Sequence, residues 1–292
     1  MGYHVRKPRL LVSFSGGRTS GYMTKRLLDD YSATHDIRVV FANTGFEHEK
    51  TLKFVNNCDL FFGFNTVWVE AIVHHGLRKG NTHRVVTFDT ASRNGEPFEE
   101  VVKKYGVTNM QFPHCTRDLK LAPIWSYLRS VGWATGSYAT AIGIRTDEQR
   151  RVRDDKVREI VYPLVDTFPT DKQDVLDWWD DQIFDLELLE HQGNCKTCWK
   201  KSFSKLARLH DENPNQFDFF ERLEKQYGTC GPEFSKRPGA PARVFFRKSM
   251  SIPAFRQLAS ELSASKLPMP NVYQDAGCSE SCELFETEVP TE

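Results

Sequence analysis

The sequence lacks three features that would place the protein at a membrane or on an extended polyanion. No stretch approaches the roughly 18 consecutive apolar residues that a transmembrane helix requires. The N-terminal residues lead directly into a strand-like segment, without the separate apolar core of a secretory signal peptide. Lys plus Arg and Asp plus Glu number 39 each, so no net charge favours broad binding to nucleic acid or to a membrane surface. We therefore expect a cytoplasmic protein with no membrane partner.

The chain nevertheless has the material for a large packed core, because 39% of its 292 residues are hydrophobic and 12% are aromatic. Apolar segments typical of strands alternate with helical patterns through the first half of the sequence. The predicted strands lie at 9–14, 37–43, 65–71, 84–88 and 136–145. The predicted helices lie at 19–30, 47–57, 97–105, 116–131 and 170–183. This alternation, with its short turns, predicts an α/β fold with a doubly wound, mostly parallel sheet.

The alternation of strands and helices stops near residue 185. Further helical patterns lie at 199–211, 214–227 and 251–265. The segment from Lys266 onward is polar and acidic. We therefore expect a first domain over residues 1–185 and a C-terminal helical, cysteine-bearing region over residues 186–292, with a mobile tail.

A turn with two glycines and three hydroxyl residues joins the first predicted strand to the first predicted helix. Its sequence is Ser15-Gly16-Gly17-Arg18-Thr19-Ser20. Glycines let backbone N–H groups approach a ligand closely, and a helix N-terminus favours an anion. This context predicts a phosphate cradle, although the spacing matches neither GxxxxGK[ST] nor GxGxxG. The alternative is an ordinary tight turn in which a hydroxyl caps the helix.

Seven cysteines are present, and in a reducing cytoplasm clustered cysteines more often bind metal or do chemistry than form disulfides. Cys195 and Cys198 form a CxxC motif, which can hold a metal ion or cluster or can alternate between dithiol and disulfide. Three lysines next to the motif would favour thiolates. A structural zinc site made of Cys195, Cys198, Cys278 and Cys282 is an alternative.

Five short segments match, in the same order, the motifs of one protein family. SGGRTS at 15–20 resembles SGGxDS, and VFANTGFE at 40–47 resembles F.DTG.E. HCTRDLKLAP at 114–123 resembles C…LK..P, and GIRTDE at 143–148 resembles G.R..E. YPL at 162–164 followed by DVLDW at 174–178 resembles PL..W...DV..Y. Over about two thirds of its length, the chain thus resembles the PAPS reductase (phosphoadenosine phosphosulfate reductase) family of the PP-loop adenine-nucleotide alpha-hydrolase superfamily.

The resemblance implies a fold of the HUP/PP-loop type and a bound adenine nucleotide, either ATP or an adenylyl sulfate (PAPS or APS). The positions carried over to the nucleotide site are Ser15, Gly16, Gly17, Arg18, Thr19, Ser20, Phe41, Asn43, Thr44, Gly45, Gly143 and Arg145. Within this set, the backbone near Phe41 would contact the adenine. Outside it, Lys120 would take part in catalysis from a separate helix. Thr19 and Asn43 stand where the family motifs usually carry aspartates.

The resemblance also implies roles for the cysteines. In the iron–sulfur branches of the family, a cysteine just ahead of the K..P helix and a later CxxC carry a [4Fe–4S] cluster. The matching positions are Cys115, Cys195 and Cys198, and Cys278, Cys282 or Cys230 could supply the fourth ligand. Alternatively, the fourth iron is open and binds a sulfur donor or the substrate. The sulfonucleotide reductases of the family carry a nucleophilic cysteine near the C-terminus, for which Cys282 is the candidate.

These observations favour an ATP-dependent and iron–sulfur-dependent sulfurtransferase, in which an acceptor oxygen is adenylated and then replaced by sulfur. Reduction of a sulfonucleotide is the alternative reaction, and loss of the two aspartates motivates a third reading as a non-catalytic nucleotide- or partner-binding protein. The expected partners are a small-molecule nucleotide and a protein that donates sulfur or electrons. The acceptor of the sulfur could be a nucleic acid.

Overall fold

A single mixed sheet organises the part of the chain that the structure describes. The computed structural model describes residues 7–76, 78–153, 159–193, 195–232, 239–246 and 249–265. The strands are β1 Arg9–Ser13, β2 Asp36–Ala42, β3 Val67–Ile72, β4 Thr82–Val86, β5 Ala139–Ala141 and β6 Ile160–Val161. Their order across the sheet is β4-β3-β2-β1-β5-β6, and all neighbours are parallel except the antiparallel pair β3 and β4. The predicted α/β class with a mostly parallel sheet is confirmed.

The strand order reverses direction beside β1. From β1 the chain adds β2 and then β3 on one side, and it later returns to add β5 and β6 on the other. The carboxyl ends of β1 and β5 therefore border a crevice, which in open α/β sheets is the place where ligands bind. The sequence predicted a long strand at 136–145, but β5 has three residues and the two-residue β6 was missed. Strands this short carry too few residues to show an alternating pattern.

Helices cover both faces of the sheet. The α-helices are α1 Arg18–Tyr31, α2 Glu49–Phe62, α3 Glu96–Tyr105, α4 Ala122–Ser130, α5 Pro163–Asp166, α6 Lys172–Asp180, α7 Phe203–Glu212, α8 Asp218–Tyr227 and α9 Ile252–Ser265. Val12 of β1 packs with α1, α2 and α6 on one face, whereas its neighbour Leu11 packs with α4 on the other. Successive residues of a strand point to opposite faces, so a central strand buried on both sides is continuously apolar.

The predicted helix at 116–131 has two parts with different geometry. Cys115–Leu121 form a π-helix, and α4 follows with Pro123 in its first turn. Proline has no N–H to donate, and its ring clashes with the carbonyl four residues earlier in a regular α-helix. The wider π-helical turn relieves this conflict, and π-helical turns are frequent at functional sites. Cys115 and Lys120 both lie in this segment.

The helices that follow residue 185 share one apolar core with the preceding part of the chain. Phe217, Phe220 and Phe255 pack in the same cluster as Phe46, which follows β2, and Val101 of α3. The aromatic rings interlock closely, since Phe46 and Phe220 have centroids 4.9 Å apart and Phe98 and Phe220 5.2 Å. The proposed domain boundary is therefore a change in secondary-structure pattern within one core. Cys278, Cys282 and the predicted mobile tail lie outside the described residues.

Among the described residues, no helix is both long enough and apolar enough to span a bilayer.

Because the core crosses residue 185, we predict that Phe220→Ala destabilises the whole molecule in one cooperative transition. Phe220 is 1% exposed, and removal of such a ring costs about 3–5 kcal/mol of the free energy of unfolding. Urea unfolding followed by far-ultraviolet circular dichroism and by tryptophan fluorescence would measure it. The matched control is Phe61→Ala, at a ring that is 55% exposed, which should change the free energy by less than about 1 kcal/mol. Separate transitions for the two probes would contradict the shared core.

Candidate functional site

Three segments that follow parallel strands meet at the carboxyl edge of the sheet. They are the turn after β1, the residues after β2, and the residues after β5, which include Gly143. Gly143 passes so close to α1 that a Cβ there would lie 3.2 Å from the Cα of Ser20. Only a residue without a side chain fits this approach comfortably, so Gly143 brings the end of β5 against the first turn of α1.

The glycine turn, Ser15–Ser20, has the geometry of an open helix N-terminus. Gly16 has a φ of +79°, and a Cβ there would lie 2.8 Å from the Cγ2 atom of Thr51. Gly17 is the N-cap of α1 with extended backbone, and among the described residues no side chain caps this end. The first turn of α1 also contains no acidic residue. The positive end of the helix dipole is therefore left uncompensated within the turn, as an anion-binding site requires.

The hydroxyl groups of the turn hold its shape. The Oγ atoms of Ser15 and Ser20 lie 2.9 Å apart, and Ser20 Oγ also donates to the carbonyl of Gly17 at 3.0 Å. The backbone N–H of Ser15 donates to the same Ser20 oxygen at 3.3 Å. The turn is thus preorganised by its own side chains before any ligand binds.

Arg18 connects the glycine turn to the segment that contains Asp185 and Leu188. Its guanidinium donates to both carboxylate oxygens of Asp185, at 2.7 and 2.5 Å, and to the carbonyl of Leu188 at 3.2 Å. Arg18 also lines the cavity at the turn, and its predicted contact with the nucleotide stays a prediction.

The glycine turn and the segment that contains Leu186, Leu188 and Leu189 border a small cavity of about 10 Å³, which has room for about one water molecule. One side consists of Ser15, Gly16 and Gly17, and the other includes Leu188 and Gly193. Gly193 lies two residues before Cys195, so the cavity connects the glycine turn to the start of the cysteine motif. The sequence contained no sign of this contact, because the two segments are far apart along the chain.

Arg145, at the end of the segment after β5, links the turn to an acidic pair. It is 4% exposed, and its Nη1 donates to the hydroxyl of Thr19 at 2.9 Å. Its guanidinium also donates to Asp147 at 2.9 and 3.0 Å and lies 3.5 Å from a carboxylate oxygen of Glu148. The hydrogen bond from Arg145 lowers the pKa of Asp147. Thr19 therefore supplies an acceptor oxygen to Arg145, and Asp147 and Glu148 supply the negative charge next to its guanidinium.

Asn43, which follows β2, belongs to a buried polar network. Its side-chain amide donates to Glu70 at 2.6 Å and to the carbonyl of Ser92 at 2.9 Å. Glu70 is fully buried and also accepts two hydrogen bonds from Arg84, at 2.9 and 2.6 Å. The side chain of Asn43 is thus engaged within the protein, and its backbone N–H donates to the carbonyl of Val69 in the sheet.

Phe41, the other residue predicted near the adenine, has its side chain in the core. It is 1% exposed and packs edge-to-face on Trp68 with centroids 5.0 Å apart. The side chains of Phe41 and Asn43 are therefore buried below the carboxyl edge of the sheet and are not exposed at the surface of that edge.

Cys195 is held against the segment that follows β2. Its Sγ lies 3.5 Å from Thr44 Oγ1 and 3.8 Å from a carboxylate oxygen of Glu47. Glu47 in turn accepts from the backbone N–H of Thr44 at 3.0 Å and from the Thr44 hydroxyl at 2.7 Å. Gly45, with a φ of +80°, allows this tight turn beneath α3, since a Cβ there would lie 2.9 Å from Pro97. Glu47 stood within a recognised motif, but its contact with Cys195 depends on tertiary structure.

The described cysteines are not assembled as a metal site. Cys115 accepts from the hydroxyl of Thr108 at 3.5 Å, Cys195 lies at Glu47, and Cys198 is buried in the C-terminal core. Within the described residues, no group of three or more Cys, His, Asp or Glu side chains is arranged to hold a metal ion. Cys195 and Cys198 are buried in one core, against which the partly buried Cys115 packs, and both the [4Fe–4S] cluster and the zinc alternative stay predictions. The fourth candidate ligand, Cys278, and the candidate nucleophile, Cys282, lie outside the described residues.

Lys120, the predicted catalytic lysine, is half-buried in the π-helix.

We predict that Asn43→Asp, which restores the usual aspartate, destabilises the protein increasingly as the pH rises. The new carboxylate would face Glu70 where an amide now donates, so one of the two groups must stay protonated and the pKa of the pair rises in the folded state. The penalty begins above the unfolded pKa near 4 and grows toward neutral pH, reaching about 3–5 kcal/mol as for an uncompensated buried charge. Urea unfolding at acidic and at neutral pH measures it.

The control for this experiment is Asn43→Ala, which removes the donor without adding a charge and should show a weaker dependence on pH. Equal pH dependence in the two variants would contradict the described contact with Glu70.

The chain resembles two known proteins along different lengths. No protein-family model matches it. The uncharacterized nin region protein ORF290 of Escherichia phage lambda is 32% identical over 283 residues, which are 94% of this chain and 94% of that protein. The uncharacterized protein MJ0066 of Methanocaldococcus jannaschii is 28% identical over 124 residues, 42% of this chain and 20% of that protein. Since the first match spans nearly all of both chains, the protein belongs to the family of the phage lambda nin region protein ORF290.

Proposed function

We propose that this protein is a cytoplasmic, PAPS reductase-like PP-loop enzyme that binds ATP or an adenylyl sulfate and transfers sulfur to an acceptor. The observation that carries the proposal is the open N-terminus of α1 at the glycine turn, whose Gly17 lines the same small cavity as Gly193, two residues before the cysteine motif. A reversal of strand order between β1 and β5 also suits a fold of the HUP/PP-loop type.

The nucleotide part of the proposal rests on the glycine turn. The open N-terminus of α1 offers backbone N–H groups and the positive end of a 14-residue helix. Arg145 donates to Thr19 directly behind this turn, and its charge is paired with Asp147 and Glu148, so Arg145 fixes the shape of the turn. Phosphate groups at the turn would gain from the helix N-terminus.

The sulfur part rests on Cys195 and Cys198, the two cysteines of the CxxC motif. The backbone N–H of Cys198 donates to the carbonyl of Cys195 at 3.3 Å, so the motif forms a turn of the kind that can close a disulfide. Lys201, 3% exposed, donates to the carbonyl of Lys196 at 3.0 Å and brings a positive charge to this turn. Positive charge near a thiol favours the nucleophilic thiolate, whereas the Glu47 carboxylate, 3.8 Å from Cys195 Sγ, opposes it.

These groups support a balanced sequence of steps. An acceptor oxygen attacks the α-phosphorus of ATP, and pyrophosphate leaves. The terminal sulfur of a persulfide on Cys195, supplied by a donor protein, then attacks the activated carbon, and AMP leaves with the oxygen. The Cys198 thiolate attacks the Cys195 sulfur of the resulting mixed disulfide, which releases the thiolated acceptor. A Cys195–Cys198 disulfide remains, and an external thiol reduces it.

We predict that Gly17→Asp abolishes nucleotide binding while the protein stays folded. Aspartate is a favourable N-cap, and the extended backbone of Gly17 is compatible with any residue. A carboxylate at the cap repels a phosphate, and a loss of about 3 kcal/mol would weaken ATP binding roughly 150-fold. Isothermal titration calorimetry with ATP, together with a thermal melt, tests this directly.

The matched control is Gly17→Asn, which has a similar size and also caps helices but carries no charge. It should retain far more affinity than the aspartate variant. Equal losses in both variants would show that phosphate charge is not bound at this cap, and the nucleotide assignment would fail.

We also predict that Cys195 carries the transferred sulfur. After incubation of the whole protein with a persulfide donor and trapping by alkylation, peptide mass spectrometry should show one added sulfur atom on Cys195. Cys198→Ser should preserve this modification, because Cys198 acts later, but should block release of the thiolated acceptor. Cys58→Ser is the control, since Cys58 is fully buried and burial raises the pKa of its thiol. Release of sulfite from an adenylyl sulfate without ATP consumption would favour the reductase instead.

A further inference from the structure

A second opening lies directly beside the cysteine motif. It is a groove of about 340 Å³ that is separate in its lining residues from the cavity at the glycine turn. Gly193 lines the cavity, whereas Lys196 lines the groove. Cys195 lies between these two residues in the chain. The residues that flank Cys195 in the chain therefore line two different openings.

The floor of the groove is aromatic. Phe46 and Phe219 are stacked, with ring centroids 4.5 Å apart and planes at 22°. Phe219 is partly exposed, and the ammonium of Lys196 lies 5.1 Å from the centroid of Phe46. Phe46 is 5% exposed, so the accessible aromatic surface is that of Phe219, and the Arg222 guanidinium lies 5.5 Å from the Phe219 centroid. An aromatic ring flanked by cations suits a flat ring that carries a negative group.

The charge around the groove is positive. Its lining, as the structure describes it, contains no acidic residue, and it includes Lys196 and His48. Burial lowers the pKa of His48, and the charges of Lys196, Lys50 and Lys201 lower it further. The Nδ1 atom of His48 accepts from the N–H of Lys50 at 3.1 Å, so the neutral ring carries its proton on Nε2 and can donate there.

The carboxylates nearest in the chain have partners of their own. Glu49 pairs with Arg93 at 2.9 Å, and Asp218 pairs with Arg256 at 2.5 Å. Glu47, which lies between Phe46 and His48, accepts from the hydroxyl of Thr44 at 2.7 Å and from the N–H of Phe46 at 3.2 Å. Because these donors are neutral, Glu47 partly offsets the positive charge of Lys196.

Amide side chains complete the groove. They are Asn213, Asn215 and Gln216, at and after the end of α7. The Asn213 oxygen caps the following turn by accepting from the N–H of Asn215 at 3.2 Å, whereas the side chain of Asn215 is exposed. A side-chain amide presents a donor and an acceptor side by side, which matches the hydrogen-bonding edge of a nucleobase.

We infer that this groove binds a nucleobase together with its phosphate and is the site of the sulfur acceptor. The aromatic floor stacks the base, the exposed amides contact its polar edge, and Lys196 holds the phosphate. The volume is within the range of sites for ligands of this size. The role as acceptor rests on the proposed function, whereas the binding itself does not. The nucleotide could belong to a single-stranded nucleic acid or could be free.

The test uses the full chain and measures binding of a fluorescent single-stranded oligonucleotide of mixed sequence and of free UMP. Lys196→Glu should weaken both about tenfold or more and should lower the salt dependence of oligonucleotide binding by about one counterion. Asn215→Ala should weaken binding of base-bearing ligands without changing the thermal melt, because its side chain is exposed. Lys225→Glu makes the same charge change on an exposed part of α8 and should alter binding less than twofold.

Equal effects of Lys196→Glu and Lys225→Glu would overturn the assignment, because binding would then reflect general charge. Displacement of the oligonucleotide by inorganic phosphate as effectively as by UMP would also overturn it, since no base would be recognised. Tighter binding of the oligonucleotide than of UMP identifies nucleic acid as the source, and equal binding identifies a free nucleotide. Gly17→Asp should leave oligonucleotide binding intact, so loss of ATP binding and loss of groove binding are separable results.

Discussion

The close approach of β5 to the first turn of α1 is the constraint on which the site depends. Gly143 allows it, because any side chain there would press on the backbone of Ser20. The approach also carries Arg145 to within 2.9 Å of Thr19, behind the glycine turn. The crevice at the reversal of strand order is thereby narrow, buried and bordered by a cation and a helix N-terminus. A wider junction would admit water and weaken each of these electrostatic contributions.

The two positions where this chain differs from the resembling family have structural explanations. At position 43, an amide donor is needed because Glu70 is fully buried and already faces it. At position 19, the hydroxyl accepts from Arg145, and Asp147 and Glu148 supply the negative charge nearby. The charge around Arg145 is therefore rearranged and not simply lost. This weakens the argument for a non-catalytic protein, since that argument began from the missing carboxylates.

The position of the cysteine motif is set by the segments that surround it. Cys195 contacts Thr44 and Glu47, which follow β2, so it is held at the carboxyl edge of the sheet. Gly193 borders the cavity of the glycine turn, and Lys196 borders the amide-lined groove. An enzyme that joins an activated nucleotide, a sulfur atom and an acceptor needs such an arrangement, in which a sulfur carrier lies between two binding sites. Preorganised placement of reacting groups is a large part of catalysis for steps of this kind.

The sequence by itself determined the class of the fold, the glycine turn and the cysteine motif. The continuous apolar run of β1 and the 3.6-residue periodicity of α1 are local signals, and so is a pair of glycines between them. Only the tertiary structure decided that Asn43 donates to Glu70, that Arg18 pairs with Asp185, and that Gly193 lines the same cavity as Gly17. These contacts join residues distant in the chain, and no local pattern of polarity specifies which distant partner a buried polar group will meet. Their positions follow from how the helices pack on the two faces of the sheet, because a buried donor or acceptor must be satisfied wherever that packing leaves it.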